Sequence, residues 1–386
     1  MKFNKELLKT VSTILFKILF LIPSYIIPKD NKLLIFQNIV GKGIREETKY
    51  AYLFARKYLK DYKLVYFSSE DEKKKEYFGI KKERIGFKNA WVILRAKYIF
   101  VETTSLKKIN LGSLIGRFNI ILLYHGAFLK DETFIKEKFS AIEKFIAKYE
   151  YKKYKLITLP FDIPEQKAKK IFHNENVTNM SHLRNDIFFK KELFSLENLY
   201  EDMNLKSYEK VFLYAPTWRI FKGEIDPLTS DILNQIDEFL RDKRWVLFIN
   251  LHPLTTNLKN YTETFTNIKD ISKKIYDIQE ILIYTDILIT DYSSVMIDFS
   301  ITEKPILFYL YDLEDYKQKR GIWFSPEKDL PGNIIKNEEN LFELIRNVDQ
   351  INSEEYRYEM KKFKHRFNKN VNGNSCEEMY KILKLD

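Results

Sequence analysis

The sequence predicts an α/β protein of two Rossmann-like halves facing one another across a central cleft. Three observations carry this expectation. The chain has 386 residues, about the length of two domains. Its short apolar runs show little two-residue alternation, as strands covered on both faces do. Longer helical patterns separate those runs, as in βαβ units with crossover helices.

The first set of expected strands is Lys32–Gln37, Lys63–Phe67, Tyr98–Glu102, Ile120–Tyr124 and Leu156–Leu159. The second is Val211–Tyr214, Trp245–Leu251, Ile287–Thr290 and Ile306–Tyr309. The polar, helical segment Glu192–Lys210 stands between the sets. The expected division is an N-terminal helix over 1–29, a first domain over 30–205, a second over 206–365 and a terminal helix over 366–386. No internal repeat or low-complexity tract interrupts this order. Ligands of open α/β sheets bind beyond the carboxyl ends of strands, so polar residues at those ends are the first candidates.

Composition narrows the function class. The 11 glycines and 10 prolines are too few for a linker-rich or collagen-like chain. The single cysteine, Cys376, excludes a disulfide scaffold and a multi-cysteine metal site, and points to a reducing compartment. The 65 Lys and Arg exceed the 54 Asp and Glu by 11. That excess is uneven. Met1–Lys190 holds 38 basic and 20 acidic residues, a net of +18, and the remainder is −7. A basic front half suits an anionic partner such as lipid headgroups, nucleic acid or a phosphorylated substrate. The alternative is that lysines are frequent throughout and simply solvated.

The N-terminus bears on the first of those partners. The longest uncharged stretch in Met1–Lys29, Ile18–Pro28, is eleven residues, well short of the roughly 20 a spanning helix needs. Lys9 and Lys17 break the longer window and Pro23 is placed to kink it. No small-residue cleavage site follows, so a secretory signal is not expected. Leu7, Leu8, Val11, Ile14, Leu15, Ile18, Leu19 and Ile22 recur at helical spacing. They predict a helix lying on an anionic bilayer, or else one packed on the core. Asp131–Tyr149 is a second basic amphipathic stretch, suited to lie on an anionic bilayer or to be an ordinary surface helix.

Four strand ends carry polar residues suited to chemistry. Ile287–Thr290 runs into Asp291-Tyr292-Ser293-Ser294, and an amphipathic segment with Asp298 follows. Ser293 or Ser294 is a natural N-cap. A strand-to-helix turn with two hydroxyls and free N–H groups suits a phosphate, although helix capping alone would select the same residues. Ile120–Tyr124 ends in His125-Gly126, with Lys130 shortly after. A histidine there faces the expected cleft and can act as a general base. His252, after Leu251, repeats the arrangement. Tyr214-Ala-Pro-Thr217-Trp-Arg219 closes another strand, and Arg219 can fork onto a phosphate or form a salt bridge. His173, His182 and His365 lack metal-ligand spacing, and no GxGxxG or Walker-type loop is present.

Together these stretches resemble the CDP-glycerol glycerophosphotransferases of teichoic-acid synthesis. YAPTWR over Tyr214–Arg219 is similar to the family's YAPTxR, Leu251-His252-Pro253 to its HP motif, and Thr290–Ser294 (TDYSS) matches closely. Lys304-Pro-Ile-Leu-Phe-Tyr, Tyr311-Asp-Leu-Glu-Asp-Tyr and Lys319-Arg-Gly321 continue the match. Arg184-Asn185-Asp186 resembles the PRND element and Asn372-Gly373-Asn374-Ser375 the terminal DGxxS element. Three positions depart: Tyr124 stands for a tryptophan, Ala127-Phe128 for Thr-Pro, and Leu183 for the proline before Arg184. The length resembles that of primase-type members.

The resemblance implies a GT-B fold with the acceptor on the first domain, the donor on the second, and a terminal helix crossing back. It implies transfer of glycerol phosphate from CDP-glycerol to an undecaprenyl-linked saccharide at the cytoplasmic face of the membrane, with release of CMP. His125 is then the base and His252 a second catalytic group. Gly126, Lys130, Thr217, Arg219, Asp291, Ser293 and Ser294 line the substrates, Asp298 accepts ribose hydroxyls, and Asn185 and Asp186 lie toward the donor. No cofactor or metal is required. Alternatives are a CDP-ribitol or other CDP-polyol enzyme, a nucleotide-sugar glycosyltransferase, or a non-catalytic polyanion binder. Nucleic acid is not expected, for want of a basic–aromatic module, and the oligomeric state stays open.

Overall fold

The computed structural model describes residues 18–38, 44–67, 76–77, 80–83, 87–103, 111–124, 148–160, 163–194, 199–219, 227–251, 265–272, 277–322 and 324–385. His125, Gly126, Lys130 and His252 lie outside the described residues, as does most of Asp131–Tyr149. Among the described residues the chain divides into two compact units: those up to Leu196 join the ones from Asn370 on in the first, and those within Glu197–Lys369 form the second. Both boundaries differ from the expected 205/206 and 365/366. The short helix Leu199–Asp202 belongs to the second unit, where Tyr200 packs on Tyr284 with ring centroids 5.7 Å apart. The helix Glu354–Phe367 also stays there, because Asn368 at its end donates to the Ile297 carbonyl (2.6 Å).

The first unit holds eight strands: β1 (Asp30–Gln37), β2 (Lys63–Phe67), β3 (Glu76–Tyr77), β4 (Ile80–Glu83), β5 (Ala96–Val101), β6 (Ile120–Leu123), β7 (Leu156–Leu159) and β8 (Val177–Asn179). Their order is β3-β4-β2-β1-β5-β6-β7-β8, and among the described residues β3 on β4 is the one antiparallel pairing. The apolar runs stand in the middle because both faces are covered there: Leu34–Phe36 and Ile120–Leu123 are all buried. Phe36 stacks on Phe100 of β5 at 4.8 Å. Strand order reverses at β1, which lies between β2 and β5.

The second unit is wholly parallel: β9 (Lys210–Tyr214), β10 (Trp245–Ile249), β11 (Ile268–Asp270), β12 (Ile287–Thr290), β13 (Ile306–Tyr309) and β14 (Ile334–Ile335), in the order β11-β10-β9-β12-β13-β14. The helix Ser230–Asp242 shows why its connections pack. Thr229 caps it through Ile232 N (3.3 Å), and Ile232, Leu233, Ile236 and Leu240 bury one stripe. Here the order reverses between β9 and β12.

Of the expected N-terminal helix, Leu21–Ile26 is described. Pro23 does not break it, since a first-turn residue has no intrahelical acceptor for its N–H to lose. One side packs on the first unit. Phe20 and Ser24 are buried, and Ser24 Oγ accepts from Arg117 N (2.9 Å). Gly116 makes that approach possible: at φ +129°, a Cβ there would lie 2.2 Å from Ser24 Oγ. The other side is open, with Ile22 69%, Tyr25 62% and Ile26 74% exposed. Thus the packed reading describes one face of this segment, and the other face is exposed. Among the described residues no helix is long and apolar enough to cross a membrane.

Lys29, which ends this segment, is half-buried. Its Nζ donates to the Leu94 carbonyl (2.7 Å) and lies 4.5 Å from the Phe118 ring centre. Burial, with Arg117 nearby, lowers its pKa from 10.5 to about 8. Between those values the unfolded chain holds more protons than the folded one, so this group makes stability rise with pH from about 8 to 10.5. Lys29→Met is therefore expected to raise stability at pH 7 by on the order of 1 kcal/mol, discounted for the amine's partial solvation. The gain should shrink toward pH 10 in denaturant titrations at both pH values. A gain that grows with pH contradicts the assignment.

Candidate active site

The crevice between β9 and β12 is where an open parallel sheet places its ligand, because loops leaving adjacent strands turn to opposite sides. The sequence puts Ala215–Arg219 after β9 and Asp291–Ser294 after β12. The register aligns their starts: Ile289 pairs with Tyr214, and Ala215 N donates to the Ile289 carbonyl (3.0 Å). Thr290 Oγ1 returns a bond to the Ala215 carbonyl (2.7 Å). Thr217 N then donates to Asp291 Oδ1 (2.8 Å).

Arg219 completes the brace. Its Nε and Nη2 fork onto Asp312 at 2.9 and 3.0 Å. Its Nη1 donates to the Thr217 carbonyl at 2.5 Å and stands 2.7 Å from Asp291 Oδ2. That last contact is one of charge, since Asp291 Oδ2 accepts no well-aligned hydrogen bond. Three rings enclose the guanidinium, with centres 5.2 Å (Tyr292), 5.4 Å (Tyr311) and 5.1 Å (Tyr316) from its carbon. Tyr292 and Tyr316 stack at 3.9 Å. Burial opposes the charge on Arg219, but Asp291 and Asp312 outweigh it and raise the pKa. Burial pushes Tyr311 and Tyr316 up to about 12, so both are neutral hydroxyls near pH 7.

This geometry corrects the expectation that Arg219 forks onto a phosphate. Two carboxylates already face one guanidinium, and the salt-bridge alternative is the one realised. Asp291 is likewise engaged with Arg219 and Thr217 rather than presented to a ligand.

The two serines are placed differently from the expected cap. Ser294 makes no side-chain cap, and Ser293 Oγ reaches Val295 N only at 3.5 Å. The helix that follows, Val295–Phe299, is five residues long, so little helix dipole is available there. The hydroxyls, both half-buried, are not consumed by the backbone. Thr217 Oγ1 beside them is buried with no hydrogen-bond partner among the described residues. Ser293, Ser294 and Thr217 are thus polar groups at the crevice with capacity left for a substrate. Asp298 points elsewhere: it is buried and accepts from Gln279 Nε2 (2.8 Å), which leaves its expected ribose contact without support.

Asn185 and Asp186, expected toward the donor, lie in the first unit. Asp186 accepts from Ser375 N (3.0 Å) and Cys376 N (2.8 Å), at the start of the helix Ser375–Ile382. Burial raises its pKa against the pull of those bonds. Lys190 Nζ donates to Asn374 Oδ1 (2.7 Å). Two stretches singled out separately in the sequence therefore form one joint. Beside it stands a cluster the sequence did not reveal. Glu47 accepts from Leu183 N (2.7 Å) and Arg184 Nη1 (3.0 Å) and shares a proton with His182 Nδ1 at 2.6 Å. Glu102 accepts from Thr48 N and Oγ1, both at 2.7 Å.

Asp312 was quoted within a motif but given no role. Removing its charge leaves Nε and Nη2 of a buried cation facing a weaker acceptor. Asp312→Asn is expected to destabilise the second unit by about 2 kcal/mol, less than a fully orphaned charge because Asp291 remains. Urea unfolding checks this, and an unchanged midpoint would show that the fork does not hold the loops.

The chain can now be set beside known proteins. The sequence profile of the CDP-glycerol:poly(glycerophosphate) glycerophosphotransferase family matches residues 19–385. A teichoic acid glycerol-phosphate primase of Bacillus subtilis is 36% identical over 45% of this chain and 43% of its own length. A teichoic acid poly(glycerol phosphate) polymerase of Staphylococcus epidermidis is 26% identical over 92% of this chain and 51% of its own. The chain thus spans about half the length of these relatives. The solved wall teichoic acid polymerase TagF superposes with a TM-score of 0.79 at 23% identity, covering 99% of this chain and 97% of that one. At that identity the likeness shows the fold, which is α/β and GT-B-like with two parallel sheets. The profile match over nearly the whole chain decides the family: this chain belongs to the CDP-glycerol:poly(glycerophosphate) glycerophosphotransferases.

Proposed function

We propose that this protein transfers glycerol phosphate from CDP-glycerol to a hydroxyl of a lipid-linked saccharide and releases CMP. The observation that carries the reading is the β9/β12 crevice. A family member that handles a diphosphate needs donors at a topological switch point, and Ser293, Ser294 and Thr217 stand there unspent. The acceptor oxygen attacks the phosphorus bearing glycerol, and the bond from that phosphorus to the bridging oxygen breaks. CMP leaves with the electron pair. His125 takes the hydroxyl proton as base. His252 follows β10, whose next residue, Asn250, donates to the Tyr214 carbonyl (2.9 Å), and serves the departing phosphate. Arg219 contributes indirectly, by fixing the two loops in register.

The test is CMP release from CDP-glycerol with a lipid-disaccharide analogue. His125→Ala is expected to lose 10²–10⁴-fold in turnover with an unchanged melting temperature. Near-full turnover refutes the base assignment. A panel with CDP-ribitol decides the donor, and a preference for it replaces glycerol in the proposal.

We further infer that the protein works on the cytoplasmic face of the membrane. Ile18, Leu19, Ile22, Tyr25 and Ile26 form an exposed apolar strip. Trp91, 58% exposed, is on the helix Ala90–Arg95, which packs against that of Leu21–Ile26. Such a strip suits insertion among lipid headgroups. Ile22→Glu with Ile26→Glu is expected to move most protein from the vesicle-bound to the free fraction in flotation. Undiminished flotation contradicts the membrane reading.

A further inference from the structure

A cleft of about 490 Å³ opens in the first unit between the helical turn at 148–153 and the helix Glu165–Phe172. Lys148 and Lys152, one helical turn apart, form one wall, and Gln166, Lys169, Lys170 and His173 form the other, with the Glu175 carboxylate also on the lining. Lys169 is already paired, with Glu165 at 2.7 Å and Glu175 at 3.6 Å. Lys148, Lys152 and Lys170 are exposed and bring three charges to one concavity.

The walls are fixed rather than casual. His173 closes the second helix in the left-handed conformation, φ 48°, which turns the chain so that Asn174 reaches back. Asn174 Nδ2 donates to the carbonyls of Tyr151 (2.7 Å) and Tyr154 (2.9 Å). Phe172 meets Tyr151 edge-on at 5.1 Å. The lysines are therefore mounted on two helix ends clasped together, and their mutual repulsion is held in the fold.

Topology places this cleft at the strand starts of the first sheet, not at their carboxyl ends. Lys152 precedes the start of β7 and His173 precedes the start of β8, so the cleft borders the amino-terminal rim of the first sheet. The exposed helix Leu21–Ile26 leads into β1, and Trp91 and Arg95 precede β5, which puts the apolar strip on the same rim. A concavity of lysines beside apolar side chains on one rim matches the layering of a lipid surface, phosphate above and hydrocarbon below.

We propose that the Lys148–Lys152–Lys170 cleft is a binding site for the phosphate of an anionic lipid headgroup. It rests on the membrane reading above and adds a discrete charge-recognising site to it. The test compares vesicles of phosphatidylcholine alone with vesicles that also contain phosphatidylglycerol. Lys152→Gln with Lys170→Gln is expected to weaken binding to the anionic vesicles by about 20-fold, near five-fold per lysine. Binding to neutral vesicles and CMP release with soluble substrates should not change. Lys328→Gln with Lys336→Gln, both exposed in the second unit, removes the same charge elsewhere. An equal loss from that pair overturns the site in favour of diffuse charge. Anionic binding that survives the cleft variant also overturns it. Inorganic pyrophosphate supplies the last arm: if it binds the cleft tightly while anionic vesicles gain nothing over neutral ones, the lipid source is wrong. Failure of the membrane reading looks different, since Ile22→Glu with Ile26→Glu would then leave both vesicle types unaffected.

Discussion

The second unit depends on one buried cation held between two carboxylates. Arg219, on the loop that leaves β9, donates to the Thr217 carbonyl of its own loop and holds the Asp291 carboxylate of the loop that leaves β12. Asp312, from the end of β13, locks the fork. Desolvating three charges is expensive, and the arrangement is favourable only because every member has a partner. Its return is positional. The pairing of β9 with β12 aligns where the two lips of the crevice start, but beyond Ala215 and Thr290 the sheet no longer holds them. The guanidinium does, and the serines beyond Asp291 inherit their position from it.

The sequence showed the middle of each sheet and hid its borders. All nine expected strands exist, with ends shifted by a few residues. The five that went unforeseen, β3, β4, β8, β11 and β14, include every edge strand. Edge strands are short, so they read as Val177-Thr-Asn179 or Ile268-Lys-Asp270 and carry no apolar run. The same logic divides the site. Thr217, Ser293 and Ser294 were visible because polar residues after an apolar strand are conspicuous. The partners of Arg219 were not, because a guanidinium suited to phosphate is equally suited to carboxylate, and only distance distinguishes them. Glu47 was invisible for a related reason. It sits among charged residues at a helix start, where acidic side chains are ordinary, and its partners His182 and Arg184 are 135 and 137 residues away.

The first unit shows how motifs can serve architecture as much as chemistry. Asp186 accepts two backbone N–H groups at the start of the helix Ser375–Ile382. Gly373 sits where a Cβ would lie 2.5 Å from Phe189, and its φ of +77° is one that glycine alone adopts readily. A motif match alone would assign these residues to a substrate. Their contacts assign them to the seam between distant parts of the chain.

That seam has a consequence for biogenesis. Cys376, Met379 and Tyr380 are buried in the first unit, and Tyr380 donates to the Ala51 carbonyl across 329 residues of sequence (2.7 Å). The first unit therefore lacks part of its interior until Cys376–Tyr380 has been synthesised. Among the described residues the second unit runs without interruption by the first, within Glu197–Lys369, and its described strands precede that point. Folding order runs against synthesis order: the lobe begun first is completed last, with an unfilled apolar slot against the helix Glu46–Tyr58 that nascent-chain chaperones would have to shield.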